Sequence, residues 1–252
     1  GPASAPSNSV VPEEIEGPEG WELYWSDEFE GNALDTSRWE AYDPSAGNGR
    51  YGDGDPYTEH CLTNDNVTLA DGYMTIQSRE ERVTCRSNLV TNYSSGFVGS
   101  RDAGNYYPVY GRYEVRAKVP YGQGIFPACW LRHVNGSSSA EVDVMETFFN
   151  SDPGASTSTA HFPKTIGYNV AKKGVFLQVP DRVTKVSDWH TWAVEIEPVY
   201  ANRNDTVKLT YYIDGAKILE YVNTNASQWT DLDDQSRGFD IAINTALGQQ
   251  DV

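Results

Sequence analysis

What this 252-residue chain lacks narrows its identity before any motif is considered. It has no apolar run long enough to cross a bilayer as a helix, so a membrane-embedded helical protein is excluded. Sustained 3.6-residue periodicity is scarce, which argues against a helical bundle. Basic residues are few: 19 Lys and Arg stand against 36 Asp and Glu, a formal net charge of −17. So acidic a surface repels nucleic-acid phosphates and anionic lipid, and neither is an expected partner. The same charge disfavours a strongly sulfated substrate. The three cysteines, Cys61, Cys85 and Cys129, do not have the paired spacing of a zinc site. Cys61 and Cys85 lie in polar, turn-rich stretches where a disulfide would suit an exported protein. Cys129, within Ala128-Cys129-Trp130-Leu131, reads as a small core residue.

What the chain has instead is turn chemistry and aromatic surface, with 22 Gly, 13 Pro, 16 Tyr and 7 Trp. Many short alternating runs bounded by turn signals point to an all-β fold, and the length suits one large β domain with a real core. Residues 1–20 are Pro, Ser, Glu and Gly with almost no aromatic content and read as a flexible linker or tag-derived arm, leaving 21–252 as the domain. Val67-Thr68-Leu69 and Tyr73-Met74-Thr75-Ile76 flank Asp71-Gly72, the signature of a hairpin with a two-residue turn; Asp214-Gly215 repeats it downstream. Over 110–120, Tyr113, Val115, Ala117 and Val119 alternate with Arg112, Glu114, Arg116 and Lys118, the pattern of a half-buried antiparallel strand. Ser45–Pro56 is a long Gly- and Asp-rich loop, read as turns rather than as a cation site.

The chemistry concentrates in Glu141-Val142-Asp143-Val144-Met145-Glu146. In a regular strand Glu141 and Asp143 share one face, while Glu146 points to the other. One β-bulge between Asp143 and Glu146 brings all three carboxylates onto one face, because an extra residue flips everything after it. Glu141 and Glu146 are then four strand steps apart, roughly 13 Å between Cα atoms. Two leaning glutamate side chains reduce this to a carboxyl gap of roughly 5–6 Å, the separation used by retaining glycosidases. Acidic residues on a strand are more often a solvated face. Here Phe126–Leu131, Met145, Phe148 and Phe149 surround the acids with apolar residues, and buried carboxylates without a role are costly.

Glu-Val-Asp-Val-Met-Glu resembles the Glu-x-Asp-x-x-Glu signature of glycoside hydrolase family 16, in the longer form of its laminarinase-type and agarase-type branches. The flanks strengthen the likeness: Gly111-Arg112-Tyr113-Glu114-Val115-Arg116-Ala117-Lys118, Gly122-Gln123-Gly124, Pro127-Ala128 and Trp130-Leu131 are all similar to the family. So are Asp27-Glu28-Phe29, Thr159-Ala160-His161-Phe162 and Ile241-Ala242-Ile243-Asn244, and the likeness covers about residues 21–250. Two departures stand out. Phe126 occupies a position where laminarinase-like members commonly carry Trp, and no Val-Asp-Tyr-Val-like last strand is found before Val252.

The resemblance implies a β-jelly-roll sandwich of two antiparallel, concanavalin-like sheets with a sugar cleft on a concave face. It further implies an endo-acting, retaining β-glycan hydrolase, secreted and monomeric, with a polysaccharide or oligosaccharide as its partner. Glu141 would be the nucleophile and Glu146 the acid and then the base. Asp143 would hydrogen-bond Glu141, and like-charge proximity would keep Glu146 protonated. Phe126, Trp130, His161 and Asn244 would border the sugar. No organic cofactor is implied and no metal ligand is assigned; the family's structural calcium draws on the strand not found here. β-1,3-Glucan is the first substrate and a galactan of the agar or carrageenan type the second. Transglycosylation and a non-catalytic carbohydrate-binding protein are the rivals, although members that lost catalysis usually lose one of the two glutamates.

Overall fold

A computed structural model describes residues 19–42, 60–85, 88, 90–101, 103–120, 124–133, 141–146, 161–162, 177–178, 188–200, 203–223 and 238–247. For strand residues 133, 141, 146, 161–162, 177–178, 203–206, 221 and 223 the backbone alone is described. The first strands are β1 (Glu40–Ala41), β2 (Cys61–Leu62), β3 (Val67–Ala70), β4 (Tyr73–Ile76), β5 (Arg79–Thr84), β6 (Val90–Ser95) and β7 (Phe97–Gly99). Then come β8 (Gly111–Ala117), β9 (Ile125–His133), β10 (Glu141–Glu146), β11 (His161–Phe162) and β12 (Leu177–Gln178). The last are β13 (His190–Tyr200), β14 (Arg203–Ile213), β15 (Ala216–Asn223) and β16 (Phe239–Leu247). Among the described residues there is no α-helix, hence none able to cross a membrane, and a single 3₁₀ turn at Asn64–Asn66.

Two sheets dominate. One runs in the order β1-β7-β16-β9-β10 and the other in the order β15-β14-β13-β8, each with antiparallel neighbours. They pack face to face as the jelly-roll sandwich, and strand alternation decides which residues meet between them. β13 contributes Trp192, Val194 and Ile196; β14 contributes Val207, Leu209, Tyr211 and Ile213. The first sheet answers with Cys129, Leu131, Val142, Val144, Met145 and Phe239. Each such fully buried large apolar side chain stabilises the fold by about 1.5–3 kcal/mol. Cys129 is therefore core, as its neighbours in sequence indicate.

Both Asp-Gly hairpins form. β3 pairs with β4 through Asp71 (φ 54°) and Gly72 (φ 76°), and β14 with β15 through Asp214 (φ 49°) and Gly215 (φ 75°). Two consecutive left-handed residues make the type I′ turn whose twist matches the strands. The alternation over β8 also holds, with Tyr113, Val115 and Ala117 packed on the core. Residues 21–39 form no strand; Trp25 packs against Trp39 at 5.6 Å between ring centroids, and the Trp39 indole N–H donates to Asp27 Oδ2 at 2.9 Å. One pairing departs from the antiparallel expectation: β2 runs parallel to β6. The adjacent disulfide accounts for how so short a strand is held there.

Cys61 and Cys85 form that disulfide, with Cα atoms 5.2 Å apart and a sequence separation of 24. It ties β2 to the residue following β5. Loop-closure entropy for a separation of this size corresponds to about 3 kcal/mol. Urea unfolding of a Cys61→Ser/Cys85→Ser variant is expected to show a loss of that order, with the m-value rising because the denatured chain is freer.

Candidate active site

β10 lies at one edge of the five-stranded sheet and pairs antiparallel with β9. Glu141 is opposite Arg132, Val142 opposite Leu131 and Asp143 opposite Trp130; then the register shifts, and Met145 is opposite Cys129 and Glu146 opposite Ala128. Val144 is the extra residue, so the bulge lies in the interval where the acid spacing requires one. Arg132, Trp130 and Ala128 alternate along β9 and share a face. Their partners Glu141, Asp143 and Glu146 therefore share it too, four strand steps apart from first to last. The side chains of both glutamates lie outside the described residues.

The neighbouring strand completes this face. β16 places Asp240 opposite Arg132, Ala242 opposite Trp130, Asn244 opposite Ala128 and Ala246 opposite Phe126. β7 adds Gly99 opposite Ala242 and Phe97 opposite Asn244. Leu131, Ile241 and Ile243 fall on the other face, toward the core. One side of the sheet is thus apolar and packed, the other polar and aromatic.

Asp143 is only 2% exposed. Its charge is felt by the Cys129 thiol, which burial first and Asp143 second push up to about 12. That thiol is accordingly neutral at physiological pH and is no rival nucleophile. The half-buried Trp130 ring is held from several sides: its indole N–H donates to Asn244 Oδ1 at 2.8 Å, Phe97 meets it edge to face at 6.3 Å, and the Arg132 guanidinium lies 5.0 Å from its centroid. Arg132 in turn donates from Nε to Asp240 Oδ1 at 3.1 Å and to Oδ2 at 3.0 Å, and from Nη2 to Oδ2. Tyr42 and Leu62 cover this end of the face by packing with Phe97 and Ala242.

Of the residues expected from sequence to border a sugar, Phe126, Trp130 and Asn244 fall on the same face as the acids. His161 lies on β11, which approaches β10, and its side chain is outside the described residues, as are the loop at 45–56, Phe148 and Phe149. Among the described residues no cluster of three or more His, Cys, Asp or Glu side chains could hold a metal ion. Sequence reasoning missed Phe97, Arg132 and Asp240. A signal was present for two of them: Arg132 and Asp240 are single opposite charges inside otherwise apolar strand runs.

Three acidic positions brought to one face of a strand by a bulge, beside Trp130, Phe97 and Phe126 on a two-sheet β-sandwich, are the arrangement of the glycosidase class of carbohydrate-active proteins. Residues 58–243 match the family model "Glycosyl hydrolases family 16", and the chain belongs to that family. It is 30% identical over 226 residues to glucan endo-1,3-beta-glucosidase A1 of Niallia circulans, covering 83% of this chain and 30% of that protein. It is 32% identical over 194 residues to a beta-glucanase of Rhodothermus marinus, covering 71% of this chain and 60% of the relative. The chain therefore spans less than two thirds of the length of these relatives. The fold is shared with the endo-beta-1,3-glucanase of Pyrococcus furiosus, at a TM-score of 0.65 and 23% identity over 91% of this chain and 85% of the other.

Proposed function

We propose that residues 21–252 form the catalytic domain of an endo-acting, retaining β-glycan hydrolase whose substrate is β-1,3-glucan. The observation that carries this reading is the register of β10 against β9, which sets Glu141, Asp143 and Glu146 along one face. Glu141 attacks the anomeric carbon to form a glycosyl-enzyme ester while Glu146 protonates the departing oxygen. Glu146 then takes a proton from water as that water displaces Glu141. Asp143, between them, orients Glu141 and holds negative charge beside the oxocarbenium-like transition state. Trp130, Phe126, His161 and Asn244 border the sugar. The glucanase relatives favour glucan as substrate, and the disulfide favours an oxidising compartment outside the cell, where the enzyme acts as a monomer without an organic cofactor.

One observation favours a galactan as second reading. Phe126 stands where a Trp is usual in laminarinase-like members, and Phe has a smaller apolar face and no indole N–H. Digestion of laminarin, mixed-linkage glucan, agarose, carrageenan and an unsulfated β-1,3-galactan side by side decides between them. Release of oligosaccharides from laminarin is expected, with proton NMR showing the β anomer first. Release from the galactan with laminarin untouched would overturn the glucan assignment, and an initial α anomer would overturn retention.

A further inference from the structure

We propose that the buried Arg132–Asp240 ion pair is a positioning unit of this site, holding the Trp130 ring in place against a bound sugar. The inference rests on the reading of Trp130 as a residue that borders the sugar. Its first support is placement. Asp240, Arg132 and Glu141 are in register on three neighbouring strands, β16, β9 and β10, one rung from Trp130 and Asp143. The pair thus lies on the face of the acids and not in the core between the sheets.

The second support is what surrounds it. The Arg132 side chain is 8% exposed and that of Asp240 is 0% exposed. The guanidinium lies 5.5 Å from the Phe97 ring centroid and 5.0 Å from that of Trp130. Gly99 borders the same pocket: a Cβ there would crowd Phe97 Cε1 at 3.2 Å and meet Arg132 Nη2 at an ordinary contact distance of 3.5 Å. A purely stabilising role explains this arrangement poorly. Desolvation of two ions largely offsets their attraction, and a well-packed apolar pair is often as stable or more so. What an apolar pair cannot supply is a fixed plane.

The plane follows from the geometry. A guanidinium held by both oxygens of one carboxylate has its plane set, so the indole lying against it is fixed on that side, while Asn244 fixes the N–H.

The test measures kcat, KM and melting temperature for the wild type, the paired Arg132→Met/Asp240→Leu, Trp130→Ala and the triple variant, on the glycan that the wild type cleaves. The paired variant should keep its melting temperature within a few degrees yet lose about tenfold or more in kcat/KM, chiefly through KM. Trp130→Ala should lose as much, and the triple variant little more than Trp130→Ala, because both changes act through one ring. A paired variant with wild-type kcat/KM, a paired variant that fails to fold, or losses that add in full in the triple variant would each assign the pair to structure alone. Trp130→Ala separates the two levels: wild-type kcat/KM there removes the reading of Trp130 as a sugar contact, whatever the ion pair does.

Discussion

Glu141→Ala and Glu146→Ala should each lower turnover by about 10⁴-fold or more while the protein stays folded, because in the proposed mechanism each removes a group that makes or breaks a bond in both chemical steps. The two losses differ in kind. Without Glu146, the glycosyl-enzyme ester still forms on a substrate whose leaving group departs unaided, and a small anion such as azide can attack that ester without base help. Azide should therefore restore part of the activity of Glu146→Ala and yield a β-glycosyl azide. Without Glu141 there is no ester, and azide attack on the substrate itself inverts the anomeric centre. Proton NMR of the azide products distinguishes the cases. A β product from Glu141→Ala and an α product from Glu146→Ala would exchange the two roles.

Inserting one alanine between Val144 and Met145 is expected to be almost as damaging, although it touches neither glutamate. With the present bulge retained, the added residue displaces Glu146 from its place opposite Ala128 to one opposite Pro127, on the core face of the sheet. Turnover should fall to the level of Glu146→Ala, and stability should fall by several kcal/mol because a carboxylate now meets the apolar layer. Deleting Val144 should do far less to activity. Without the extra residue the strand is regular, Met145 remains opposite Cys129 and Glu146 opposite Ala128, so the carboxylates stay aligned. Val144 is buried, and its loss leaves a void costing about 1–3 kcal/mol, which thermal unfolding would register. An insertion variant with wild-type turnover, or a folded deletion variant as inactive as Glu146→Ala, would refute the alignment argument.

The features legible in the amino-acid sequence alone are those that local chemistry specifies. Asp71-Gly72 and Asp214-Gly215 name their turns because few other residue pairs take two positive φ values in succession. The acid strand declares its own bulge, since three carboxylates at this spacing reach one face in no regular strand. Cys61 and Cys85 were a pairing left open by sequence, and the structure closes it. The family likeness read from the acid motif and its flanks is the family to which the chain belongs. None of this required knowing which strands are neighbours.

Strand neighbours are what the tertiary structure alone decided. Arg132 and Asp240 are 108 positions apart, and Trp130 and Asn244 are 114 apart. Each pair meets because β16 inserts between β7 and β9 in a register that aligns Asp240 with Arg132 and Asn244 with Ala128. No propensity or period carries that information, because a strand's pattern states which face is apolar but not which strand it will join. Sequence therefore determined the three carboxylates, the bulge that aligns them and the sandwich class. The folded sheet determined that a buried arginine, held by an aspartate from a distant strand, lies on the rung of Glu141.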